Sequence, residues 1–343
     1  MDTEIVFESD MKDLPSDKSG LEIEPEWFPG DLPFFVGDIP GEFQMPPEDY
    51  HRIQAYSHTF GSTLLKNQPH WKSAFNAIDT KATDPLHFGS AYEIYFEHLY
   101  RTISDGKFTS FPEMDFKIDE INSKVAVMPH WEGTGSRKKA DEFKALNEGK
   151  NIINEVQFNI AMLMLKSALS NKEFPHYLNQ GTWQTVLLWV ENGLPCKAMI
   201  DHLGRNAYSK FKLQAGDLKT AKQASYLGFT DSMKTYYYDH QASHYISGLK
   251  HVYDEDPAPF AWYVCEKEYP YGNAIYKATP EIMSAGDSAR SASMDICKQL
   301  HDNGEIAEFP CYTSDGEHGA YDVSFNEKVL NQRFKLSMKW DYA

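Results

Sequence analysis

The sequence predicts an α/β fold, a mixed central β-sheet covered by helices, on three observations. Apolar residues recur at i, i+3 and i+4 through Asn151–Leu169 (NIINEVQFNIAMLMLKSAL), the spacing of one helical face. The period then shortens to that of strands in Thr182–Val190, Pro195–Leu203 and Phe211–Thr220. Beyond them the order is helix (Tyr236–His251), strands (Phe260–Glu266 and Asn273–Ala278) and a closing helix (Glu281–Asn303). Helices and strands alternating in this way place helices on the faces of one sheet.

Residues 1–47 are rich in Asp, Glu, Pro and Gly and show no sustained periodicity, so they read as a mobile acidic leader. The leader is either a solubilising tail or a segment that mimics a polyanion. From Tyr50 the pattern changes: Ser57–Lys66 is a short helix and Gly89–Tyr100 (GSAYEIYFEHLY) a longer amphipathic one. Gly133–Lys150 is a polar connector carrying Arg137, Lys138, Lys139, Lys144 and Lys150, and reads as a solvated loop leading into the next helix or as a contact to anions. The methionines of Asn151–Leu169 fit core packing. Glu191-Asn192-Gly193 is a hairpin turn between the first two strands.

At 343 residues, 41% hydrophobic and 14% aromatic, the chain can fill a sizeable core as one large domain or two. No run of about 18 apolar residues occurs. The first eleven residues lack the basic-then-apolar pattern of a secretory signal, so a cytoplasmic location is expected. Cys196, Cys265, Cys297 and Cys311 are scattered, without the close pairs of a zinc or iron–sulfur site, and read as reduced thiols. A net charge of −17 opposes work on a phosphate polymer, yet fourteen acids against Lys12 and Lys18 through Asp49 account for −12 of it. The acid therefore sits in the leader, and the body carries only −5.

The informative stretch is Ile200–Lys219. Asp201 ends one strand, and Asp217-Leu218-Lys219 lies on the next. Side chains alternate across a strand, so Asp217 and Lys219 share a face and Leu218 points into the core, its carbonyl still available as a ligand. Asp201 joins them if the register aligns. Two carboxylates suit Mg²⁺, with Mn²⁺ as a substitute, and an adjacent lysine orients the activated water and offsets charge growing on a phosphate. Gln241 and Tyr245 lie one turn apart on the following helix, and Glu93 in Gly89-Ser-Ala-Tyr-Glu93 brings a further acid from the preceding one. D-x-K by itself also fits a hairpin with exposed charges.

The run GLPCKAMIDHL…DLKTAKQAS…YYYDHQASHYISGL resembles the nuclease domain of RecE-type exonucleases (exodeoxyribonuclease VIII), of the PD-(D/E)xK superfamily, found on phages and prophages. The likeness runs from about Tyr50 to Tyr312 and includes Ala261–Tyr271 (AWYVCEKEYPY) and Phe309-Pro-Cys-Tyr312. It implies a restriction-endonuclease-like core over residues 48–315, with 316–343 as a C-terminal extension. It also implies a Mg²⁺-dependent 5′-to-3′ exonuclease on linear duplex DNA in a bacterial or phage-infected cell. Such an enzyme forms a homo-oligomeric ring around DNA ends and works with a RecT-type single-strand annealing protein to prepare recombination.

By position, Asp201 and Asp217 would be metal ligands and Lys219 the catalytic lysine, while Gln241 and Tyr245 match the family's Q-x-x-x-Y. Arg137, Lys138 and Lys139 would contact DNA phosphates. The sequence departs from the family at Glu93, where a His is usual, and at Gln184, where relatives often place an acid. An endonuclease of the same fold and an inactive DNA-end or partner-binding module are the alternatives. No G-x-x-x-x-G-K-[ST], H-E-x-x-H or G-x-S-x-G sequence occurs.

Overall fold

The computed structural model describes residues 40–303, except 54, 67–83, 108–109, 112–115, 117, 179–180 and 206–210. Residues 1–39 of the acidic leader, the extension 316–343, Cys311 and Phe309–Tyr312 lie outside the described residues. Among the described residues no helix is long and apolar enough to cross a membrane.

Six strands form the central sheet. They are β1 (Gly41–Gln44), β4 (Gly181–Glu191), β5 (Leu194–Arg205), β6 (Leu213–Ala221), β7 (Ala261–Glu266) and β8 (Asn273–Lys277), adjacent in that order. All neighbours are antiparallel except β6 and β7, which run parallel. The predicted mixed α/β sheet is thus present and mostly antiparallel. The β4–β5 turn is the one the sequence specifies: Asn192 and Gly193 have φ of 53° and 79°, the left-handed pair that matches strand twist.

The strand β1 falls within the segment that composition assigns to the leader. It pairs with β4, and Glu42 is fastened to Arg205 at 2.5 Å. Four residues without a clear alternation carry too little signal to announce an edge strand.

Helices cover both faces. On one lie α3 (Asp84–Ser104), α6 (Glu155–Leu169) and α7 (Phe174–Leu178), with a buried cluster of Tyr95, Phe96, Tyr100, Phe174, Trp183 and Tyr263. Rings here meet edge to face, as Phe96 does with Trp183 at 6.1 Å and Phe174 with Tyr263 at 6.1 Å. On the other lies α9 (Tyr238–Tyr253), backed by α2 (His58–Lys66) and α10 (Pro280–Asn303). Cys196, Cys265 and Cys297 are buried and free.

Two expectations are corrected. Asn151–Asn154 is a strand, β3, parallel to β2 (Val125–Met128). The helix starts only at Glu155 because Asn154 and Gln157 form a capping box, each side chain bonding the other's backbone N–H. The polar connector is not a loop: Ser136–Leu146 forms α5, which buries none of its residues. The helix expected at Tyr236–His251 is α9, and a helix that the periodicity did not mark, α8 (Tyr226–Tyr236), precedes it, the two separated at Tyr237 where φ is 55° and ψ 47°. Two shorter helices, α1 (Pro47–Arg52) and α4 (Asp119–Lys124), complete the set.

Between α1 and β5, Lys197 is buried and donates to the carbonyls of Tyr50 at 2.9 Å and Ile53 at 2.7 Å. Burial pushes its ammonium down to about 7. The unfolded chain, with a lysine near 10.4, therefore holds more proton above pH 7, and stability rises with pH across that window. The urea midpoint is expected to climb between pH 7 and 8.2 more steeply in the wild type than in Lys197→Met, by at most about 1.4 kcal/mol per pH unit. Parallel pH profiles for the two proteins would refute this.

Candidate active site

The site forms where β6 changes partners. Its first half pairs with β5 as far as His202 opposite Gly216, and from Gly216 onward it pairs with β7. Past that point the ladder is no longer backbone to backbone: the Leu218 N–H donates to the Asp201 carboxylate at 2.8 Å. Because the N–H and C=O of one residue leave a strand on the same side, the Leu218 carbonyl projects into the same fork. The Leu218 side chain packs against the aromatic cluster under α3, as alternation requires.

Asp217 faces α9. Gln241 donates to its Oδ1 at 2.7 Å and to the Tyr245 hydroxyl at 3.2 Å, one helical turn on. Lys219 stands 2.5 Å from Asp217 Oδ2, and its ammonium lies 4.8 Å over the Tyr238 ring. The left-handed residue Tyr237 lets α9 begin where Tyr238 meets Lys219. Glu93 arrives from α3, with Gln184 of β4 donating to its carboxylate. Gln184 sits at φ 53° in mid-strand, a conformation that costs a non-glycine residue about 1 kcal/mol. Such strain is retained where surrounding contacts fix the residue, often at a working site.

The electrostatics follow from three acids and one base crowded into a partly buried space. Burial, and then the Asp217 charge, raise Glu93 to about 7. The same two causes hold Asp201 well above the usual carboxylate range. Burial disfavours the Lys219 charge, but Asp217, Tyr238 and Asp201 outweigh it and keep the lysine protonated beyond its ordinary range. With all three acids ionised the pocket holds a surplus of two negative charges, which a divalent cation would cancel.

Hard oxygen donors are the right chemistry for such an ion. In the described arrangement each acid is instead engaged by an internal donor: Glu93 by Gln184, Asp201 by Leu218 and Asp217 by Gln241 and Lys219. Among the described residues no three of His, Cys, Asp and Glu stand ready-placed around a metal position. The fit to such an ion therefore rests on the chemistry of the donors, carboxylate and carbonyl oxygen.

The sequence-derived residues Asp201, Asp217, Lys219, Gln241, Tyr245 and Glu93 thus come together. Arg137, Lys138 and Lys139 lie on the exposed α5, with Lys138 at 3.7 Å from Glu142, and share no contact with the cluster. His98 packs on Phe116, 5.8 Å between rings, and plays no part in the cluster. Tyr238 was not foreseen; its aromatic face, placed by a helix break, becomes visible only in three dimensions.

A fork of antiparallel and parallel strands bearing Asp, Asp-x-Lys and a helical acid defines a PD-(D/E)xK nuclease core. A PDDEXK-like domain of unknown function (DUF3799) matches residues 62–310, and the chain belongs to that family. The fold also resembles a crystal structure from Eubacterium rectale bearing the name "Putative exonuclease", with a TM-score of 0.53 and 13% identity over 84% of this chain and 98% of that one. No curated protein matches the chain.

Gly216 stands where β6 changes partners, pressed against Tyr263. A Cβ there would meet the Tyr263 ring and hydroxyl at 2.2 Å, inside the buried cluster. Gly216→Ala is expected to cost roughly 1–3 kcal/mol, read as a lower urea midpoint. A midpoint equal to wild type would show that this close approach does not constrain the fork.

Proposed function

We propose that the chain is a divalent-cation-dependent exodeoxyribonuclease. It degrades linear duplex DNA from its ends, 5′ to 3′, and leaves single-stranded tails for recombination. The observation that carries this reading is the gathering of Glu93, Asp201 and Asp217 around Lys219 in a member of a PDDEXK-like family. The name of the Eubacterium rectale protein favours action at ends. The likeness to RecE-type exonucleases supports the polarity, a homo-oligomeric ring and a RecT-type annealing partner.

Asp201, Asp217, the Leu218 carbonyl and Glu93 would hold the cation, Mg²⁺ with Mn²⁺ as substitute. When bound, such an ion acidifies a coordinated water and stabilises charge on a phosphate. Lys219 remains cationic beside Asp217, so it orients the attacking water and compensates negative charge on the phosphate. Gln241 holds Asp217 in place through its amide, and Tyr245 holds the amide. Tyr238 limits the Lys219 ammonium to one side of the pocket. Arg137, Lys138 and Lys139 supply phosphate contacts away from the centre.

A second reading is an inactive module that binds DNA ends or a partner, favoured by the Gln184 amide that holds Glu93. Digestion of end-labelled linear and nicked-circular duplex decides between them. With Mg²⁺ or Mn²⁺ the linear DNA is expected to disappear while circles persist, with early release of the 5′ label. EDTA abolishes the reaction, and Lys219→Ala slows it by about 10²-fold or more. Cutting of circles would replace the exonuclease with an endonuclease. Intact linear DNA with both ions would leave only the binding module.

A further inference from the structure

Helix α8 leaves three large side chains in water: Tyr226 is 69%, Leu227 73% and Tyr236 54% exposed. They do not stand alone. The Tyr226 ring meets Tyr276 of β8 at 6.5 Å, and Tyr276 stacks on Phe229 at 4.7 Å with planes 8° apart. Phe229 stacks on Tyr238 at 5.9 Å, and Tyr238 stacks on Tyr236 at 5.7 Å. Tyr238 is the ring beneath the Lys219 ammonium. Both exposed tyrosines are therefore ends of one aromatic row, and its member next to Tyr236, Tyr238, touches the catalytic lysine.

The row is held in place. The Tyr276 hydroxyl donates to the Ala224 carbonyl at 2.7 Å, and the left-handed residue Tyr237 sets Tyr236 and Tyr238 with planes 24° apart. Around the exposed rings the α8 surface is polar, with Thr230, Asp231, Lys234 and Thr235, and exposed Lys222 lies just before the helix. Three apolar side chains in such a setting fall far short of the roughly 800 Å² per partner that a stable protein interface needs. Planar rings with a nearby cation suit a different occupant, since every nucleobase offers a π-face for stacking.

Resting on the nuclease reading, we propose that Tyr226 and Tyr236 form a base-stacking platform for unpaired nucleotides of the strand entering or leaving the Lys219 centre. The platform is sequence-tolerant, because stacking does not read base edges. It aligns single-stranded DNA with the pocket while phosphates are contacted elsewhere.

The test is equilibrium binding in EDTA, where no cleavage intervenes, of a short oligothymidylate and of an abasic chain of equal length. Wild type, Tyr226→Ala, Tyr236→Ala and the corresponding phenylalanine variants are compared, each with its thermal midpoint to verify folding. Loss of oligothymidylate affinity by about tenfold per alanine, restored by phenylalanine and absent for the abasic chain, is the expected result. Unchanged affinity in both alanine variants overturns the platform, as does equal loss on the abasic chain. Digestion of linear duplex by wild type, run in parallel, reports separately on the nuclease reading. Active digestion with no oligothymidylate preference leaves the enzyme standing and removes the platform.

Discussion

The buried Asp217 and the partly buried Lys219 form an ion pair beside two further carboxylates, and the surrounding architecture is arranged to hold them. Burying charges is costly, and a packed apolar pair in their place is often as stable or more so. Stability alone does not explain this cluster. What the fold supplies is support: the β6 partner switch at Gly216, the Leu218 N–H on Asp201, the Gln241 amide on Asp217 and the Tyr238 ring under Lys219. Each acid is positioned by a donor on a different element, so the cluster exists only when the sheet and both helical layers are in place.

The rigidity behind that support comes from aromatic packing and neutral polar burial. On one face, rings from α3, α7, β4 and β7 lock the helix that carries Glu93. On the other, His240 bonds Tyr56 at 2.9 Å and Ser293 at 3.1 Å, and His244 bonds the Lys197 carbonyl at 2.9 Å. Burial pushes these imidazoles down to about 2 and about 4, so they stay neutral and act as fixed hydrogen-bonding wedges under α9. A helix fixed in this way presents Gln241 to the sheet without rotational freedom.

The aromatic row through α8 ties the exterior to the centre. Tyr237 in the left-handed region would be an odd choice for a simple helix junction, where glycine fits better. Here the break brings Tyr236 and Tyr238 together and points one at the lysine and one at water.

Strong local signals were legible in the chain itself. Alternation through Thr182–Thr220 marked β4, β5 and β6, Asn192-Gly193 marked their turn, and the D-x-K spacing put Asp217 and Lys219 on one face. A period of two fixes which side chains share a side whatever the surroundings. Weak or nonlocal features were not legible: the edge strand β1, the pair β2 and β3, the α8–α9 break and helix α5. A four-residue strand is chosen by its partner, since its own sequence carries little preference. The sequence by itself determined the α/β core and named the acids and the lysine. Only the tertiary structure decided that Asp201 stitches to Leu218, that Gln184 holds Glu93 and that Tyr238 cradles Lys219. Those contacts join residues far apart in the chain, and no local propensity encodes the register and helix docking that bring them within hydrogen-bond reach.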